Sequence, residues 1–144
     1  MATEDTATTG EALQVAGIDF AAFRRAMDRG QYTSAPKTLP GNRQRGWTVN
    51  DIVALRFFQF LFEAMRMPAA VAGGLTKQLE IGLTNDPDAR ELGIYSIKRP
   101  KRQTELLIRA EPPRGSTVVM PLPVGDWRRE IRAELRELWR RQRA

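Results

Sequence analysis

The chain of 144 residues contains neither cysteine nor histidine. A disulfide framework, a thiolate nucleophile and a Cys/His zinc site are therefore excluded. So is the imidazole general base that many hydrolases and transferases use. For metal chemistry only a carboxylate site, such as one for magnesium, is left. The acidic residues do not assemble one by spacing. Asp86, Asp88 and Glu91 stand close together but flank Pro87 in a turn signal, which reads as a solvated turn. No nucleophile–base pairing and no glycine-rich phosphate loop is present, so the expectation is a protein that is not an enzyme and needs no cofactor. No run of 18 apolar residues occurs, and a membrane-spanning helix is not expected. Residues 1–9 are small, polar and weakly acidic, without the basic start and apolar stretch of a secretory signal. They read as a disordered leader on a cytoplasmic protein.

Positive charge is what the chain has in excess. Lys and Arg number 23 against 17 Asp and Glu, a net charge of +6. Arginine dominates, and it suits planar, bidentate recognition of phosphate and guanine. The excess is unevenly placed. The stretch 17–47 carries a net +4, 51–92 a net −2 and 93–144 a net +7. A basic front and a basic tail favour a polyanionic partner, nucleic acid first and an acidic membrane second.

Local patterning divides the chain into short elements. Gly10 to Ala16 is a helix candidate capped by Thr8 or Thr9 and closed by Gly17. Asp19 caps a second helix, Phe20 to Arg29, with Phe20, Phe23, Ala26 and Met27 on one stripe and Arg24, Arg25, Asp28 and Arg29 off it. Two short helices around a glycine turn are the pattern of a helix-turn-helix. Gln31 to Gly46 is turn-rich, carries Lys37, Arg43 and Arg45, and has the size of a hairpin wing. Thr48 and Asp51 form a capping pair for a helix from Val49 to about Arg66. Its Ile52, Leu55, Phe58, Phe62 and Met65 stripe, broadened by Phe57, Phe60 and Leu61, marks the centre of the core. Trp47 reads as a core plug beside it. Pro68 opens another helix, to about Leu83, weakened by Gly73-Gly74.

Beyond the turn at Asn85–Asp88 the pattern changes to strands. Leu92 to Lys98 and Thr104 to Arg109 flank a basic tip, Arg99 to Gln103, as a β-hairpin. Ser116 to Met120 is a third strand, stopped by Pro121 and Pro123. Asp126 caps a last helix from Trp127 to about Arg143. Its stripe of Trp127, Ile131, Leu135 and Leu138 fits a partner helix, and the first expectation is a homodimer seam. Packing on the chain's own sheet and lying on a membrane or nucleic acid are the other two readings.

Two blocks carry a family resemblance. Phe23-Arg24-Arg25-Ala26-Met27-Asp28-Arg29-Gly30 resembles the end of the recognition helix in MerR-type regulators. Arg45-Gly46-Trp47-Thr48-Val49-Asn50-Asp51-Ile52-Val53-Ala54-Leu55 resembles their wing-to-helix junction, and the distance between the blocks is similar. The resemblance covers about Gly10 to Leu83. Arg25 and Ala26 stand where the family has a tyrosine pair, and the cysteines of its metal sensors are missing. There is no room for its large drug-binding domain, and a strand-rich segment stands where its dimerisation helix would follow. It therefore implies DNA binding rather than effector sensing.

The resulting expectation is an α+β protein in three parts: a leader over 1–9, a winged helix-turn-helix over 10–84, and a β segment with a C-terminal dimerisation helix over 85–144. Its partner is double-stranded DNA, bound as a homodimer with no membrane. The Phe20–Arg29 helix enters the major groove, where Arg24, Arg25 and Arg29 reach guanine edges. Lys37, Arg43 and Arg45 hold the flanking phosphates. The resemblance implies a bacterial transcription regulator. A phage or mobile-element architectural factor, of the excisionase or terminase-small-subunit kind, and an interaction adaptor that does not bind DNA are the alternatives.

Overall fold

The computed structural model describes residues 6–36 and 44–143. Among the described residues it is a mixed α+β molecule of five α-helices and one three-stranded antiparallel sheet. The helices are α1 (Thr9–Ala16), α2 (Phe20–Asp28), α3 (Val49–Gln59), α4 (Ala69–Asn85) and α5 (Val124–Arg143). The strands are β1 (Leu92–Arg99), β2 (Gln103–Arg109) and β3 (Ser116–Leu122).

The helix starts follow their capping chemistry. Thr8 and Glu11 form a reciprocal capping box on α1, and Thr48 and Asp51 form one on α3. The Asp19 carboxylate accepts from the Ala21 and Ala22 amides and opens α2. Gly17 ends α1 at φ 76°, a left-handed conformation in which a Cβ would be strained. Its amide reaches back to the Leu13 and Gln14 carbonyls. The leader expected over 1–9 differs at its end. Ala7 is fully buried and pairs antiparallel with Trp47. The Trp47 indole donates to the Thr9 hydroxyl at 3.0 Å. A small apolar residue next to a capping threonine joins the core because Trp47, 40 positions on, supplies its strand partner.

α3 lies at the centre and packs against α1, α4 and α5. Ile52, Val53, Leu55, Phe57 and Leu61 are fully buried. The helix expected to run on to Arg66 changes at Phe60–Ala64 into a π-helical turn. That turn rotates the later side chains, and Phe60, Phe62 and Met65 are exposed rather than central. Arg66 then closes the turn in the left-handed region, φ 56°.

The sheet order is β2-β1-β3. β3 runs through Pro121 because it is an edge strand, where a missing amide leaves no ladder bond broken. β2 is the other edge, and α4 covers it. The Gln78 side-chain amide donates to the Leu106 carbonyl and accepts from the Ile108 amide, as a neighbouring strand would.

The Trp127, Ile131, Leu135 and Leu138 stripe, expected at a subunit seam, faces this chain's own helices. Ile131 and Leu135 are fully buried, and Trp127 and Leu138 pack partly buried on the same core. α5 lies on α3 and α1 rather than on the sheet. The physical reason is that α3 is apolar on more than one side, and α5 covers the side that α1 and α4 leave open.

Candidate nucleic-acid interface

α2 divides cleanly. Phe23 and Ala26 are buried, with Phe23 tilted against both Tyr32 and Trp47 at 5.9 and 5.8 Å between centroids. Arg24, Arg25 and Arg29 are all exposed. Phe20, expected on the inner stripe, is 54% exposed. Arg24 lies 3.7 Å from Asp28 in an i,i+4 pair whose side chains are both mostly solvated. Such a pair is weak and readily exchanged for a phosphate. α2 is held to the core by rigid aromatic packing, so its arginines project from a fixed surface.

Lys37 and Arg43 lie outside the described residues. Arg45 is exposed and engaged. Its guanidinium lies over the Trp139 ring of α5, 4.7 Å from the centroid. The Trp139 indole donates to Glu11 at 2.9 Å, and Glu11 is the capping-box acid of α1. The far end of α5 is thus latched to the base of the segment between α2 and α3. Stacking on an indole orients a guanidinium and leaves its N–H edge free for phosphate oxygens.

Two further arginines are structural. Arg56 of α3 donates to the Val15 carbonyl at the end of α1 and to Glu134 of α5, both at 2.6 Å, with Glu130 at 3.6 Å. Arg128 is buried and donates to the Ala89 carbonyl and to Asn50. Burial, and then Arg132 nearby, lower its pKa. Burial also raises the pKa of the Tyr32 hydroxyl, with Asp51 and Glu80 adding to it. Arg56 and Arg128 tie α3 to α1, to α5 and to the Ala89 turn.

The structure therefore leaves Arg24, Arg25 and Arg29 exposed, with Arg25 and Arg29 beside Phe58 and Phe62 and Arg24 beside Asp28, and it places Arg45 against α5. Sequence reasoning missed Trp139 as the ring beneath Arg45. It also missed a row of arginines on α5, legible in the 3–4 spacing of Arg129, Arg132, Arg136, Arg140 and Arg143. Among the described residues no cluster of three or more acidic side chains is placed to hold a metal ion. No described helix is long and apolar enough to cross a membrane. No family model and no curated protein matches the chain.

Proposed function

We propose that this chain is a sequence-specific duplex-DNA-binding protein built on a winged helix-turn-helix, a transcription regulator of MerR-like type. One observation carries the reading: α2 is pinned by Phe23 and Ala26 and leaves Arg24, Arg25 and its capping residue Arg29 exposed. A helix of this size enters the major groove, and arginine makes bidentate contacts there to guanine O6 and N7. The α1–Gly17–α2 turn supports it, because the Gly17 and Ile18 amides on Leu13 close α1 sharply, one residue before Asp19 opens α2. The isolated Ala7–Trp47 bridge supports a wing, because it fastens the end of the segment that follows α2 to the residues before α1. Arg45 at that end suits the backbone beside the groove.

The homodimer is not part of the proposal, since Ile131 and Leu135 are inside the chain's own core. A second copy would have to use another face.

Selection of bound duplexes from a random library tests the reading. An enriched motif is expected. Arg24→Ala and Arg25→Ala should each relax one position of it, at about 1–3 kcal/mol of discrimination per bidentate contact. No enrichment, or a motif indifferent to both substitutions, would reject it in favour of an adaptor.

A further inference from the structure

The β1–β2 hairpin outlasts the sheet it belongs to. β3 stops pairing with β1 at Ile97. The two rungs beyond it, Lys98 with Thr104 and Arg99 with Gln103, have only each other. They carry the chain about 7 Å past the end of β3, at ~3.4 Å per residue. At the root of the hairpin Leu92, Ile94 and Ile108 are buried. Towards its tip every described side chain from Lys98 to Glu105 is exposed. The hairpin is therefore an arm, rooted in the core and ending in solvent.

The tip favours charge over turn chemistry. Four of the six residues from Lys98 to Gln103 are lysine or arginine. Glu105 faces them and takes one cation, its carboxylate accepting from the Arg99 Nε at 2.7 Å. That pair closes the ribbon across its two strands. Lys98 and Lys101 enter no ion pair with a described residue. Lys101 also stands in the left-handed region, at φ 66° and ψ 27°. Glycine or asparagine holds that conformation readily, whereas the Cβ of lysine crowds the following carbonyl. A cation kept where the backbone calls for glycine is a local conflict, and such conflicts gather at functional sites.

The side chains select the ligand. Apart from the Pro100 ring, nothing from Lys98 to Thr104 is apolar or aromatic. The tip has no group to sink into a bilayer and none to stack on an unpaired base. Arg99 is held by Glu105. Lys98 and Lys101 are point charges on flexible stems, which meet phosphate rather than read base edges.

We infer that the β1–β2 tip is a phosphate-gripping arm, a second contact to the backbone of duplex DNA through Lys98 and Lys101. It rests on the proposed DNA-binding function and adds a surface outside α2 that supplies affinity without sequence information.

The test compares the full chain with a double variant, Lys98→Gln and Lys101→Gly, on the selected duplex and on a scrambled one. Affinity should fall by the same factor on both, leaving the preferred motif unchanged. The slope of log affinity against log salt should become shallower by about 0.9 for each lysine that engages a phosphate. The single variant Lys101→Gly is the sharper probe, because it removes the crowded Cβ together with the charge. Its urea midpoint should rise while its affinity falls. A lysine in a merely solvated turn would give the rise alone, and a lysine needed by the turn would give a lower midpoint; either result counts against the arm. Full affinity and full slope in the double variant, beside loss of the motif in an Arg24→Ala, Arg25→Ala variant, would overturn the arm and leave the groove reading standing. If the unaltered chain binds neither duplex, both fall. If the double variant loses adsorption to phosphatidylglycerol vesicles and keeps its duplex affinity, the tip belongs to a membrane surface and the arm is overturned.

Discussion

Gly73 and Gly74 are adjacent in α4 and look equivalent in the sequence, where both weaken a helix by up to about 1 kcal/mol relative to alanine. Their surroundings separate them. A Cβ on Gly74 would meet nothing, whereas one on Gly73 would collide with the backbone carbonyl of Gln31. Gly73 is therefore the point where α4 crosses the chain leaving α2. Gly74→Ala should stabilise the protein by about 0.5–1 kcal/mol, and Gly73→Ala should destabilise it by about 1–3 kcal/mol. Urea midpoints of the two variants check this, and equal effects would mean that the close crossing is absent. Asp51 gives a second contrast. Burial raises its pKa above the ordinary carboxylate value, donation from Thr48 opposes this, and Glu80 adds to the rise. A carboxyl raised in the folded state binds its proton more tightly there than in the unfolded chain. Ionised Asp51 thus costs stability at neutral pH, and the cost disappears as pH falls through the window between the raised and the ordinary value. Relative to Asp51→Asn, which does not titrate, the unaltered protein should gain stability on acidification through that window. Thermal melts of both proteins across pH 3–7 (roughly the carboxylate range) would show it, and parallel curves would refute it.

At the scale of elements, the α5 stripe shows what periodicity conveys. Trp127, Ile131, Leu135 and Leu138 mark one apolar side of a helix, and the sequence placed that side correctly. The identity of the covering surface is not a local property. A stripe written for a second subunit and one written for α3 and α1 are the same stripe. The clue lay elsewhere, in the apolar breadth of α3, which needs more than two helices to cover it. The π turn at Phe60–Ala64 was illegible for a related reason. Phe60 and Phe62 fit a helical stripe, but exposure depends on where the helix loses its register. Arg56 carries no signal in the local pattern, yet it ties three helices together. Arg56→Met should cost about 1–3 kcal/mol, because the Val15 carbonyl, at the end of a helix, loses its charged donor. The pairing with Glu134 should contribute little of this, since that side chain is 51% exposed. A double-mutant cycle with Glu134→Gln is expected to give a coupling of about 0–1 kcal/mol. A coupling as large as the whole loss would shift the role of Arg56 from α1 to α5.

For the whole molecule, the boundary read at Asn85–Asp88 marks a real change from helix to strand. Several contacts cross it. Arg128 of α5 donates to Ala89 and to Asn50 of α3, and Asn50 in turn donates to the Pro87 carbonyl. Gln78 of α4 completes the edge of β2. Trp139 reaches Glu11 and Arg45, so the last helix grips the first. Long-range pairings of this kind are invisible to local patterning, which is why caps and strand limits were legible and the connection of the halves was not. They also bear on the candidate site, for Arg45 is held by Trp139, more than ninety positions away. A single cooperative unfolding transition follows. Leu135→Ala, in the buried sector of α5, should cost about 2–5 kcal/mol, and it should lower the melting of α1 and α2 as much as that of the sheet. Hydrogen exchange on α2 and β1 in the two proteins measures this. If the loss stayed within α5 and the sheet while α2 kept its protection, the N-terminal half would be an independent unit, and the Trp139 latch would not couple the two halves.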